Sequence, residues 1–407
     1  MNRSGATRRH ETLRVCLATG LFPPAIGGEE RHASLLARAL CRRGHPVTVV
    51  TQRLADAPRR EVVEGVRVER VIHPLQGGPL FGPSYVACLA RFLLTSRRAF
   101  DIIQTTYAYW DAVTVALLKP VLTSRLVVRL VVAGPGGDLD RFLGMRLWPL
   151  TDTYDRPCLD RLVRLITRRA DGFLCLNARS LGELAALGVP AWRCHVVPNG
   201  VEVARFADLP RSVRPGEGRL LCAARLVPQK GIDVLLHAVS MVRATLAGVT
   251  LAVLGDGPER QALASLAERL GLGSAVEFRG AVKDVAPYLA QAGIFVLPSR
   301  FEGFPLALLE AISAGLPVVA TEVDGNVDIV RNGVDGLLVP PDDPSALANA
   351  LLRLLHEPGL ATQLGDAARL RAASCFDVDR MVERTVDVFR HALRRDLSGE
   401  AGKARDR

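Results

Sequence analysis

The chain has 407 residues, 49% hydrophobic and 23% charged. That is too long for one ordinary domain, fits two of roughly 150–200 residues each, and excludes a mainly disordered or fibrous protein. The net charge of +10 is uneven, with 29 Lys and Arg against 17 Asp and Glu in residues 1–205, and 23 against 25 in residues 206–407. A basic first half faces something anionic, for which nucleic acid, a membrane surface and an acidic substrate are the candidate classes.

Arg3, Arg8 and Arg9 precede no apolar segment before the first strand-like run, so no signal peptide is expected. Residues 13–21 form an apolar run, 22–28 a Pro- and Gly-rich turn, and 29–43 a helix-like stretch that Gly44 ends. Residues 46–51 are again β-branched and apolar, completing a strand, loop, helix, strand unit of the parallel α/β type. The uncharged window 71–90 is broken by Pro74, Pro79, Pro83, Gly77, Gly78 and Gly82 and reads as no spanning helix. Short strands at 102–103, 126–133 and 173–176 extend the first domain into a doubly wound sheet.

Periodicity lapses over 198–211, where Asn199-Gly200 gives the chain a turn, and the domain boundary is expected there. Beyond it, strands at 220–223, 250–254, 276–279, 294–298 and 317–321 alternate with helices at 233–243, 258–270, 285–292 and 305–314. This is the pattern of a second Rossmann-like sheet. Val382, Val386, Phe389 and Leu393 recur at helical spacing, so 379–395 is an amphipathic helix that needs a packing partner, followed after Leu397 by a polar tail expected to fray. The organisation is therefore 12–203, 204–378 and a closing helix at 379–397. Eight cysteines lie singly, with no CxxC pair and no His at metal-ligand spacing, and read as buried thiols of a reducing cytosol.

Phe301-Glu302-Gly303-Phe304-Pro305 follows a predicted strand, with Pro305 expected as the first residue of the next helix. Gly303 allows close backbone approach, the helix N-terminus offers free N–H groups to phosphate oxygens, and Glu302 and Glu310 can accept hydrogen bonds from hydroxyls. The pattern outlines a nucleotide-sugar site; the plainer reading is a helix cap with two solvated glutamates. Arg225 and Lys230, the latter beside Gly231, follow the strand at 220–223 and suit a diphosphate, or are two surface cations.

Further segments complete a series: Phe22-Pro23-Pro24 with Gly27-Gly28-Glu29, Pro198-Asn199-Gly200-Val201, Ala224-Arg225 with Lys230-Gly231, Gly255-Asp256-Gly257-Pro258, Phe278-Arg279-Gly280, and Glu302 to Glu310 followed by Gly315-Leu316-Pro317-Val318-Val319. In order and spacing these resemble retaining glycosyltransferases of the GT-B fold, the family 4 group. The resemblance implies two Rossmann-like doubly wound domains facing across a cleft, with the C-terminal helix crossing back to the N-terminal domain. It implies that Arg225 and Lys230 neutralise the donor diphosphate, Glu310 takes the ribose hydroxyls and Glu302 those of the transferred sugar. The backbone at Gly303, Phe304, Pro305 and Leu306 would contact sugar and phosphate, and the base would lie near Arg279 and Val282. Gly27 and Gly28 would let the first loop approach the donor phosphate.

Asp138, after Gly136 and Gly137, matches the family's Gly-x-Asp loop on the acceptor side. Asp138-Leu139-Asp140 is also the literal metal motif of the other glycosyltransferase fold, a three-residue match that arises easily by chance. Where many members carry His-x-His, this chain reads Gln104-Thr105-Thr106-Tyr107, with no His between His73 and His195. Thr106 can hydrogen-bond a hydroxyl but is no base near neutral pH.

Tyr107, Tyr109 and Trp110 either stack on an acceptor ring or pack in the core. Arg161, Arg164 and Arg168 share one helix face, opposite Leu159, Leu162, Val163 and Ile166, which suits either anionic lipid or solvent. The expected activity is retaining, metal-independent transfer of a hexosyl unit from a UDP- or GDP-sugar to a glycan or lipid-linked acceptor in cell-surface polysaccharide biosynthesis. No cofactor is expected beyond the nucleotide diphospho-sugar as co-substrate, and no metal. The expected location is the cytoplasm, with peripheral membrane contact through the basic first domain. The alternative is a catalytically impaired sugar-nucleotide-binding partner of an active transferase. Nucleic-acid binding lacks a recognition motif, and a dehydrogenase lacks a complete GxGxxG.

Overall fold

A computed structural model describes residues 12–75, 80–132, 138, 142, 156–210 and 212–403. Arg3, Arg8, Arg9, Gly77, Gly78, Pro79, Gly136, Gly137, Leu139 and Asp140 lie outside the described residues. The first domain contains β1 (Val15–Ala18), α1 (Gly28–Arg42), β2 (Val47–Gln52), β3 (Arg60–Val63), β4 (Val66–Ile72), α2 (Phe81–Thr95) and β5 (Ile102–Thr106). It continues through α3 (Trp110–Leu118), β6 (Arg125–Leu130), α4 (Arg156–Arg169), β7 (Gly172–Cys175), α5 (Ala178–Ala186) and β8 (Cys194–Val196). The sheet order is β3-β4-β2-β1-β5-β6-β7-β8, and only β3 runs antiparallel. Every residue of β1 and β5 is buried, as near-continuous apolar strands covered on both faces require.

The second domain holds α6 (Val203–Ala207), β9 (Arg219–Ala223), α7 (Ile232–Thr245), β10 (Thr250–Leu254), α8 (Arg260–Arg269), β11 (Val276–Gly280) and α9 (Ala286–Ala290). Then follow β12 (Ile294–Leu297), α10 (Leu306–Ser313), β13 (Val318–Thr321), α11 (Asn326–Ile329), β14 (Leu337–Val339), α12 (Pro344–His356), α13 (Pro358–Cys375) and α14 (Val378–Lys403). The all-parallel order β11-β10-β9-β12-β13-β14 reverses direction between β9 and β12, as the first sheet does between β1 and β5. Both domains are thus doubly wound, with a ligand crevice expected at the carboxyl ends of those central strands.

Several details depart from the sequence expectation. The β3–β4 hairpin was not predicted; its turn has Glu64 at φ 48° and Gly65 at φ 82°, the left-handed pair a tight hairpin needs. The 71–90 window holds no spanning helix among its described residues, as expected, but it does hold α2, with Pro83 in the first turn, where backbone N–H groups have no intrahelical partner. Pro305 is the N-cap of α10 and not its first helical residue. The final helix runs on to Lys403 rather than ending near Leu397. Only Cys16, Cys175 and Cys222 of the eight free thiols are buried, and Cys158 is exposed. No helix among the described residues is long and apolar enough to cross a membrane.

The last helix finds its partner on the first domain. Met381, Val382, Val386 and Phe389 share one core with Leu13, Val15, Leu17 and Leu36, and Arg43 reaches Asp379 and Glu383 at 3.2 Å each. Gly200 lies under it so closely that a Cβ there would come within 2.9 Å of Val378 Cα and Met381 Cβ. Phe389→Ala should cost about 3–5 kcal/mol through the cavity it leaves, seen as a fall of several degrees in melting temperature. Leu370→Ala, at an exposed position, should leave the melting temperature nearly unchanged.

Candidate functional site

β9 and β12 are hydrogen-bonded neighbours, with Ile294 opposite Leu220 and Phe295 opposite Leu221, so the loops after them emerge side by side. Those loops are stitched together: Arg300 N donates to Gln229 O at 2.8 Å, and Gln229 Nε2 donates to Phe301 O at 3.0 Å. Lys230 Nζ donates to Glu302 Oε1 at 2.6 Å, and Ser299 Oγ donates to the same oxygen at 2.6 Å. Gly231, at φ 61°, turns the chain under Pro298, whose carbonyl oxygen would lie 2.2 Å from any Cβ. The ammonium and carboxylate assigned separately in the sequence are therefore one pair, half-buried Lys230 on buried Glu302, in front of the α10 N-terminus. A Lys ammonium has three N–H donors, so two remain for an anionic ligand.

Across the cleft lies the corresponding edge of the first sheet. Gly27 caps α1 in extended conformation, and a Cβ on Gly28 would meet nothing within 4 Å. Arg70, buried, donates to Pro23 O at 2.5 Å and anchors that loop. Gly303 sits against β6's end, where a Cβ would lie 2.0 Å from Val131 O. Arg129, on β6, reaches Glu29 Oε2 at 2.5 Å and Asn199 Oδ1 at 2.6 Å. Asn199 Nδ2 in turn donates to Phe304 O at 2.7 Å, and Asn177 Nδ2 donates to Gly303 O at 3.4 Å. The glycine loop is thus held by side chains of the opposite domain.

The remaining predicted residues divide into two groups. Arg225 is exposed at the end of β9 and acts on Glu30 across the cleft, whose carboxyl burial pushes up while Arg225 draws it down. Glu310 is buried on α10, where burial pushes its carboxyl up to about 7 despite Arg31 and Arg205 nearby; Arg31 of α1 donates to its Oε1. Arg279 is exposed and pairs with Glu277 at 2.6 Å, and Val282 packs half-buried beside the second core.

Thr106 is buried at the end of β5. Asp138 is buried and accepts from Val131 N at 2.5 Å and Val132 N at 3.2 Å. Burial raises its carboxyl to about 7. Tyr107 stacks on Tyr109 at 5.0 Å, and Phe142 packs against Tyr109 and Trp110, so these rings are engaged with one another.

Two family models match along the chain: that described as Glycosyltransferase Family 4 over residues 26–205, and that described as Glycosyl transferases group 1 over residues 217–357. This chain is a family 4 glycosyltransferase. An exopolysaccharide phosphotransferase of Streptomyces coelicolor is 35% identical over 62% of the transferase, a match spanning only 25% of that longer protein. A glycogen synthase of Mycobacterium tuberculosis is 28% identical, covering 94% of the transferase and 95% of the relative. A GDP-mannose-dependent phosphatidylinositol monomannoside mannosyltransferase of the same species is 26% identical, covering 93% and 98%. Among solved structures, sucrose-phosphate synthase of Thermosynechococcus elongatus superposes with TM-score 0.76 at 23% identity, covering 93% and 98%. Anabaena HepE in complex with UDP-glucose superposes with TM-score 0.71 at 20% identity, covering 92% and 98%. These likenesses show the GT-B fold of the transferase.

Sequence reasoning missed Arg31, Arg70 and Arg129 of the transferase, all engaged at or behind the cleft. Arg31 was legible only as part of the Gly-Gly-Glu-Glu-Arg run at 27–31; Arg70 and Arg129 carry no local signal. The raised carboxyl of Glu310 makes the folded state hold its proton more tightly than the unfolded chain. Its contribution is full at acid pH and is lost as pH rises through about 7. Glu310→Gln keeps the uncharged shape at every pH, so the variant should gain melting temperature relative to the parent between pH 5 and 8. Parallel melting curves across that range would contradict this electrostatic account.

Proposed function

We propose that this transferase is a retaining, metal-independent hexosyltransferase that moves a hexosyl unit from a UDP- or GDP-sugar to a glycan or lipid-linked acceptor in cell-surface polysaccharide synthesis. The observation that carries the reading is the Lys230–Glu302 pair at 2.6 Å, held before the N-terminus of α10 with Glu310 further along the same helix. Cation, hydroxyl acceptor and free amides then follow the order of a diphospho-sugar. The names of similar proteins support both nucleotides: the mycobacterial mannosyltransferase is GDP-mannose-dependent, and the Anabaena structure contains UDP-glucose.

In the proposed reaction the bond between sugar C1 and the phosphate oxygen breaks, and its electron pair goes to the departing nucleoside diphosphate. Arg225, Lys230 and the first amides of α10 stabilise the charge that develops there, the part a divalent ion plays elsewhere. Glu302 orients the sugar by accepting from its hydroxyls. The acceptor oxygen bonds to C1 on the face the phosphate leaves, and its proton passes to the leaving phosphate oxygen. Configuration is kept, and no separate base is needed at Thr106. The absent imidazole favours a second reading, a nucleotide-sugar-binding partner of an active enzyme.

Purified protein should release sugar slowly from one donor of a UDP- and GDP-sugar panel, unaffected by EDTA. Arg225→Ala, Lys230→Ala and Glu310→Ala should each weaken nucleotide binding by about tenfold or more. Unchanged affinity in all three would overturn the site assignment, loss of turnover with EDTA would overturn metal independence, and nucleotide binding without turnover on any acceptor would support the second reading.

The acceptor end of the proposal includes a lipid surface. Arg161, Arg164 and Arg168 are exposed on α4 while Leu159, Val163 and Ile166 face the core, leaving a row of cations free for anionic headgroups. Co-sedimentation with phosphatidylglycerol vesicles should fall sharply in the triple Arg→Glu variant and be weak with purely zwitterionic vesicles. Equal binding to both vesicle types would remove this surface from the account.

A further inference from the structure

The carboxylate assigned to the donor ribose is not left to its own domain. Glu310 of α10 is paired with Arg31 of α1, residues 279 apart in sequence and on opposite sides of the cleft. Arg31 engages Oε1, while Oε2 is buried with no hydrogen-bond partner among the described residues. The pair lines an interdomain pocket of about 180 Å³, whose walls come from α1, the linker at Gly200 and Glu202, and the start of α10 at Leu306. A buried carboxylate with one oxygen fixed and the other unpartnered is poised to accept from a hydroxyl.

We propose that Arg31 is a positioning residue for nucleotide recognition: it orients Glu310 so that ribose hydroxyls meet its second oxygen, and the ribose subsite draws one side chain from each domain. This rests on the nucleotide-sugar reading above and adds a residue and a coupling to it. The first domain then contributes to donor affinity as well as holding the acceptor. Arg31 lies on the same helix as Glu29, which holds Arg129.

The electrostatics around Glu310 agree with this role. Arg31 of α1 and Arg205 of α6 favour its charged form, Asp284 before α9 opposes it, and burial opposes it most. Lys283, Glu202 and Arg38 line the same pocket. Arg205 is drawn to Asp284 at 2.9 Å and Arg38 to Glu64 at 3.1 Å, which leaves Arg31 as the cation bonded to Glu310. Without Arg31 the carboxyl would keep its proton to higher pH, and its acceptor oxygens would be fewer near neutrality.

The test measures binding of UDP, GDP and their 2′,3′-dideoxy forms to the full chain by calorimetry from pH 6 to 9. In the parent, the preferred nucleotide should bind about 10–100-fold more tightly than its dideoxy form. Arg31→Met should lose most of that preference at pH 7 and regain part of it by pH 9, and Arg31→Lys should retain an intermediate preference. In a Glu310→Gln background, Arg31→Met should have no further effect.

An Arg31→Met variant that binds within twofold of the parent at every pH, while Glu310→Gln is weakened, would overturn the proposal and leave the nucleotide-sugar reading intact. Equal losses for the ribo and dideoxy forms would also overturn it, because the arginine would then act elsewhere on the ligand. Failure of the parent to bind either nucleotide would overturn the underlying reading and the proposal with it. Melting curves of each variant, compared with the parent, separate misfolding from lost recognition.

Discussion

The rest of the structure depends on how a buried guanidinium is satisfied. Arg129 lies on a central strand of the first sheet with almost no exposure, and a charge in that position is tolerated only with full pairing. Its partners are Glu29 at the start of α1 and Asn199 in the linker, and Asn199 carries the connection on to the carbonyl of Phe304. One side chain thereby ties together the first sheet, the glycine-rich loop, the hinge and the loop that leads into α10.

The same constraint organises the chemistry. Each sheet reverses its strand order once, and the two reversals face each other, so loops after β1 and β5 meet loops after β9 and β12. The second domain supplies Arg225, Lys230, Glu302 and Glu310. The first supplies the backbone of Gly27 and Gly28 and cations that hold carboxylates. Several arginines of the first half sit in ion pairs. Arg14 pairs with Asp101, Arg43 with Asp379 and Glu383, Arg70 with Glu61, and Arg125 with Asp171. The net charge of +10 already counts these carboxylates, so pairing leaves it intact, and the exposed arginines of α4 are part of what an external anion meets.

The strands and helices of the second domain were legible because each is short, apolar and punctuated by glycine or proline. Its motif at 301–305 was legible because it follows a strand and opens a helix. The β3–β4 hairpin was not, since Arg60–Val63 is mostly exposed and carries no core-facing alternation. The 71–90 window was read as holding no spanning helix, and Pro83 lies in the first turn of α2, where proline is tolerated. Asp138 was read with its glycine neighbours as lining the acceptor side, and what the sequence did not show is that its carboxylate accepts from the backbone N–H groups at the end of β6.

By itself the sequence determined the two-sheet architecture and the family, and it singled out the residues proposed for the donor side. Those follow from local periodicity and from short spacings that the chain carries wherever it folds. Only the tertiary structure decided which charge meets which. Lys230 meets Glu302 over 72 residues, Arg129 meets Glu29 over 100, and Arg31 meets Glu310 over 279. No local pattern encodes such pairs, because they form where burial leaves a charged group no water and the nearest opposite charge belongs to another strand, helix or domain.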